Sequence, residues 1–176
     1  MTQTIALLFF VVMVCTSAFA MAIPTTVKIS VKTKDAKFLG TSMGGALVIL
    51  KDVDTGEILA KGLTSGGTGN TQVIMKTPVA RGTAITDAQT ANFSTTIDLE
   101  RPTLVEVSAY GPMSQRQAAN RVTATQWIVP GKDITGGDGW VVELPGFAVD
   151  IQAPPSHSKF TGMTQDVLIQ ANVTMM

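Results

Sequence analysis

The chain has 176 residues, and its 13 basic and 13 acidic side chains cancel and lie scattered rather than in blocks. That balance lacks the basic footprint of a nucleic-acid binder, and the length suits one domain that can bury a core without covalent staples. The only cysteine, Cys15, falls in a segment expected to be removed, which leaves no disulfide and no thiolate metal site in the mature chain.

That segment opens the chain. Ile5 to Val14 is an unbroken apolar run, followed by Thr16 and Ser17 and then by Ala18-Phe19-Ala20, an A-x-A cleavage pattern. The order is that of a secretory signal peptide, although no Lys or Arg precedes the apolar run. A spanning helix wants about 20 apolar residues, usually with charged flanks. Residues 1–20 are therefore expected to be a signal and 21–176 a single exported domain with no stable membrane span after cleavage, in the periplasm or outside the cell. Val14 is too large for lipoprotein processing at Cys15.

Beyond the signal the apolar period is two almost everywhere. Val27, Ile29 and Val31 alternate with Lys28, Ser30 and Lys32, and the lysines at 28, 32, 34 and 37 suggest the wet face of an edge strand. Ala46 to Leu50 is a continuous apolar run of central-strand length. Asp52 to Glu57 reads as a turn with Gly56 at a left-handed position, and Ile58 to Lys61 as the returning hairpin strand. Leu63 to Asn70 is a glycine-rich loop, Gln72 to Met75 a short strand, and Pro78 to Asn92 holds no period.

Alternation resumes in Phe93, Thr95, Ile97 and Leu99, stopped by Arg101-Pro102, and again over Leu104 to Tyr110, closed by Gly111-Pro112. Met113 to Arg121 is the one plausible helical turn. Val122 to Val129 is a strand, Lys132 to Gly139 a loop, and Trp140 to Leu144 and Phe147 to Ile151 flank a bend at Pro145-Gly146. After a connector over Ala153 to Gly162, Asp166 to Met175 is the last strand, with Val167, Ile169, Ala171, Val173 and Met175 on one face. About nine or ten short strands at such spacing make an all-β chain, a sandwich or barrel.

Gly45-Ala46-Leu47-Val48-Ile49-Leu50, then Asp54-Thr55-Gly56-Glu57, then Leu63-Thr64-Ser65-Gly66-Gly67-Thr68-Gly69 form a cadence that resembles the first half of transthyretin-like and carboxypeptidase-regulatory-like domains. The resemblance covers about residues 27 to 75. It departs at Ser65, where Asp is usual, and in the lack of an aromatic over Thr71 to Met75. It implies a small exported β-sandwich that binds, spaces or stabilises, and it carries no catalytic residue over.

The loop Lys132 to Trp140 holds the candidate metal ligands. Asp133 and Asp138, with backbone carbonyls and Glu143 on the next strand, are donors for a hard cation. Calcium takes six to eight oxygens, and its loops alternate acids more densely, so a tight glycine-rich turn is the simpler reading. His157 is the sole histidine, in Pro154-Pro155-Ser156-His157-Ser158. Without a G-x-S-x-G elbow or an orienting acid, it reads as an exposed loop residue. Met43, Met75, Met113, Met163, Met175 and Met176 are thioether donors that suit copper(I), but they are spread without M-x-M or M-x-x-M spacing. Trp140, at a loop–strand junction, is placed for stacking a ligand, whereas Trp127, within a strand, is expected in the core.

These readings converge on an all-β, single antiparallel β-sandwich of immunoglobulin-like or transthyretin-like Greek-key type. The expected function is that of an exported, non-catalytic binding or structural module of the cell envelope, with no cofactor, working against another exported protein or itself. Two alternatives stand beside it. One is calcium or copper handling; the other is a strand-addition assembly subunit using the first and last strands, each expected at a sheet edge.

Overall fold

The computed structural model describes residues 21–162 and 164–176, so the expected signal lies outside the described residues. Among these, the chain is mostly strand, in three sheets. β1 (Ile23–Thr33), β4 (Phe93–Leu99) and β7 (Trp140–Leu144) form one sheet in the order β4-β1-β7. β2 (Leu47–Asp52), β3 (Ile58–Leu63), β5 (Thr103–Gly111) and β6 (Asn120–Ile128) form a second in the order β3-β2-β5-β6. β8 (Phe147–Ala153) and β9 (Gln170–Met175) pair only with each other.

The alternating segments become strands because each has one face to bury. Val27, Ile29 and Val31 of β1 join Trp140, Val142 and Leu144 of β7 and Ile97 and Leu99 of β4 in one apolar cluster. The second sheet supplies Val48 and Leu50 of β2 and Val105, Val107 and Ala109 of β5 to the same cluster. Each fully buried side chain of this size contributes on the order of 1.5–3 kcal/mol.

β1 is the centre of its sheet, not an edge. It runs antiparallel to β4, with Val27 opposite Thr95, and parallel to β7, with Val31 opposite Val142. The lysine alternation fits an edge equally well, since a central strand with one wet face shows the same pattern. The β1–β7 pair is the one parallel pairing among the named strands, and it follows a crossing of the chain from one sheet to the other between β6 and β7.

Two further segments differ from expectation. Gln72–Lys76 forms a single π-helical turn rather than a strand. The Asn70 side-chain oxygen accepts the N–H groups of Gln72 and Val73 at 2.9 and 3.3 Å, which starts a turn where apolar content alone suggested extension. The last strand begins at Gln170, and Asp166 to Ile169 stays irregular.

The region of the resemblance is held by a buried hydroxyl. Thr64 Oγ1 accepts the Ala46 N–H at 2.9 Å and donates to the Leu39 carbonyl at 2.9 Å. Gly45, in left-handed geometry at φ +68°, lies so close to the Thr64 carbonyl that a Cβ there would overlap it.

Candidate functional site

The acidic loop is a structural clasp. Between β6 and β7 the chain runs beside the first half of β1: Lys28 N–H donates to the Ile134 carbonyl at 3.0 Å and Ile134 N–H to the Thr26 carbonyl at 2.8 Å. Asp133 Oδ1 accepts the Thr26 N–H at 2.8 Å, completing the ladder where no strand reaches. Asp138 Oδ1 accepts the N–H groups of Ile85 and Thr86 at 2.9 and 2.8 Å, pinning the long connection between β3 and β4. Glu143 pairs instead with Lys32 at 3.5 Å.

The three acids thus serve three separate partners. Among the described residues, no group of three or more His, Cys, Asp or Glu side chains is placed to hold a metal ion. The glycines do what a turn needs: Gly137 and Gly139 have φ of 56° and 71°, and Gly139 abuts the Lys28 backbone where no side chain fits.

The two tryptophans sit the other way round from the sequence expectation. Trp140 is 7 % exposed and belongs to the core cluster, whereas Trp127 is 62 % exposed. The reason is register. Trp140 opposes Ile29 on the inward face of the β1–β7 pair, while Trp127 opposes Leu104 on the outward face of the β5–β6 pair. His157 is exposed in a turn with φ 62°, and the neighbouring Ser158 hydroxyl donates to the Pro155 carbonyl at 2.6 Å. That bond turns the Ser158 hydroxyl to the backbone rather than to the imidazole.

Two carboxyls are electrostatically distinct. The Thr55 N–H, with that of Asp54, holds the Asp52 carboxyl below its ordinary value, against the opposing effect of burial. The Thr90 hydroxyl, 2.6 Å away, does the same for Asp87. Both are turn-forming bonds.

Two features that the sequence did not single out are the strongest candidates for function. The first is a hollow of about 430 Å³ at one end of the molecule, where the turn after β1, the turn over Thr41–Met43, the π-helical turn and the end of β9 meet. Met43, Met75, Met175 and Met176 all line it. Lys37 and Lys76 also line it, together with the hydroxyls of Ser42, Thr68 and Thr71. No spacing in the chain announces this, because residues 43, 75 and 175 come together only through the loops.

The second is the β8–β9 hairpin. Phe147 opposes Met175, Val149 opposes Val173 and Ile151 opposes Ala171, so these six side chains share one face. All six are exposed, Val173 by 57 %. The opposite face carries Ala148, buried in the core, beside Thr174, Asp150 and Asn172. The hairpin is tethered at its base by the Met176 N–H to the Gly146 carbonyl at 3.0 Å, and along β8 by Gln117 Nε2 to the Ile151 carbonyl at 3.0 Å. The sequence does place Ala171, Val173 and Met175 on one face of the last strand; that this face pairs with Phe147, Val149 and Ile151 and stays open is seen only in the structure.

No helix among the described residues is long and apolar enough to cross a membrane. No protein family, curated protein or solved structure matches this chain.

Proposed function

We propose that this chain is an exported, non-catalytic binding or structural module that works by protein–protein contact, built as one β-sandwich of transthyretin-like or immunoglobulin-like type. The sandwich reading is supported by the single apolar cluster shared by the four-stranded and three-stranded sheets. The observation that carries the function is the apolar face of β8–β9. A two-stranded hairpin is marginal in water unless something packs on it, and contiguous exposed apolar surface marks a contact site. Six apolar side chains on one face, free of charge, suit the dry centre of a protein interface.

A second reading, assembly by strand addition, is favoured by the other edge of β9. Among the described residues that edge pairs with no strand, and Gln170-Ala171-Asn172-Val173-Thr174-Met175 contains no charge or proline to block pairing. This moves the assembly idea from β1, which has neighbours on both sides, to β9 alone.

The test is a photo-reactive residue placed at Val149 in the producing cells, followed by mass spectrometry of the adducts. Adducts with one exported protein, or with a second copy through β9, are the expected result, and Phe147→Asp should abolish them. A chain that yields no adducts and stays monomeric at high concentration sinks the contact reading.

A further inference from the structure

The methionine-lined hollow shares Met175 with the hairpin face, but its two lysines call for a different kind of ligand. We propose that it binds an organic anion with a flexible apolar body, the chemistry of a medium-chain fatty acid. Its volume of about 430 Å³ falls within the range of small-molecule pockets. At roughly 30 Å³ per water-sized group, that space takes about fourteen non-hydrogen atoms.

The lining divides by chemistry. Met43, Met75, Met175 and Met176 offer unbranched, polarisable side chains that reshape around an apolar body of no fixed form. Lys37 and Lys76 supply two positive charges, and among the described residues neither forms an ion pair. No acidic side chain among the described residues lines the space. Lys37 Nζ is 3.3 Å from the Thr71 hydroxyl, so an ammonium and a hydroxyl already stand together on the polar side. A carboxylate meets opposite charge and donors there, while its tail meets thioethers.

The same lining argues against a cuprous ion. Copper(I) suits thioethers, but its ligands must collapse onto one atom, and these four line a space for more than ten. Two ammonium groups beside such an ion would repel it.

The experiment titrates protein carrying 13C-methyl methionine and 13C-methyl valine with sodium octanoate, with 1-octanol as the uncharged comparison. Octanoate is expected to shift the Met43 and Met75 methyl signals saturably and to leave the Val149 and Val173 methyls in place. In the variant Lys37→Glu with Lys76→Glu, octanoate affinity should fall about fivefold or more, the worth of two exposed charge pairs, while octanol binding holds. Should that variant misfold by circular dichroism, Lys76→Glu alone serves, with a smaller fall in the same direction. The proposal is overturned by the lack of any saturable shift, by shifts confined to Val149 and Val173, or by octanoate affinity indifferent to the lysines. Copper(I) retained against bicinchoninate by the native chain, but not by Met43→Leu with Met75→Leu, would reassign the hollow to a metal.

Discussion

β1 and the β8–β9 hairpin carry nearly the same alternation with opposite outcomes. Val27, Ile29 and Val31 lose all contact with solvent, whereas Val149 and Val173 keep about half of theirs. In β1 the apolar face meets a second sheet; in the hairpin it meets nothing among the described residues. The difference teaches that a period of two announces an apolar face without saying whether the chain itself covers it. An alternating strand left uncovered in an otherwise well-packed chain is the place to look for a partner.

The largest expected effect separates the two regions directly. Leu50→Ala, in a fully buried position of β2, should cost about 2–5 kcal/mol in urea unfolding. Val173→Asp, on the open face of β9, should stay within about 0.5 kcal/mol and should lower self-association or dye binding. If Val173→Asp instead destabilises as Leu50→Ala does, the hairpin face is covered and the comparison breaks.

Next in size is the buried hydroxyl of the two-sheet region. Thr64→Val leaves the Ala46 N–H and the Leu39 carbonyl without partners and should cost about 2 kcal/mol by the same assay. The hairpin, whose open apolar face holds no comparable buried bond among the described residues, offers no substitution of that kind with an equal penalty.

Smaller and more local is Asp138→Ala. It removes the acceptor for the Ile85 and Thr86 N–H groups and should cost about 1.5 kcal/mol, read as faster amide exchange at those two positions and quicker tryptic cutting after Arg81. Unchanged exchange would mean that the connection between β3 and β4 is held by something else.

The smallest effect is in pH. Because backbone and hydroxyl donors hold the Asp52 and Asp87 carboxyls below their ordinary value in the native state, each stabilises the fold fully above the unfolded-chain value. That contribution drains as pH falls through the lower native values. Stability owed to these turns should be flat from pH 7 to about 5 and decline below about 4. Asp52→Asn with Asp87→Asn should blunt the decline, and a decline of undiminished steepness would assign it to other carboxyls.

Much of the strand pattern was legible because burial and hydrogen bonding act at short range there. Gly56, with φ 76°, turns β2 into β3 as the Thr-Gly pair suggests, and Pro130-Gly131 ends β6 where the chain must leave the sheet. The π-helical turn was missed because the side-chain bonds from Asn70 outweighed the apolar run Val73-Ile74-Met75. The candidate sites were less legible. Asp133 and Asp138 resemble ligands in sequence and serve as backbone acceptors in space, since each faces unpaired N–H groups that only the tertiary arrangement creates.

By itself the amino-acid order determined that this is an all-β chain, where most strands begin and end, and which side chains of each strand share a face. Those properties follow from a side-chain period of two and from turn chemistry within a few residues. Only the tertiary structure decided that β1 is central, that Trp140 is buried and Trp127 open, that the methionines gather around one hollow, and that one apolar face stays bare. Strand order and register pair residues far apart in the chain, and a local pattern holds no record of which distant face it will meet.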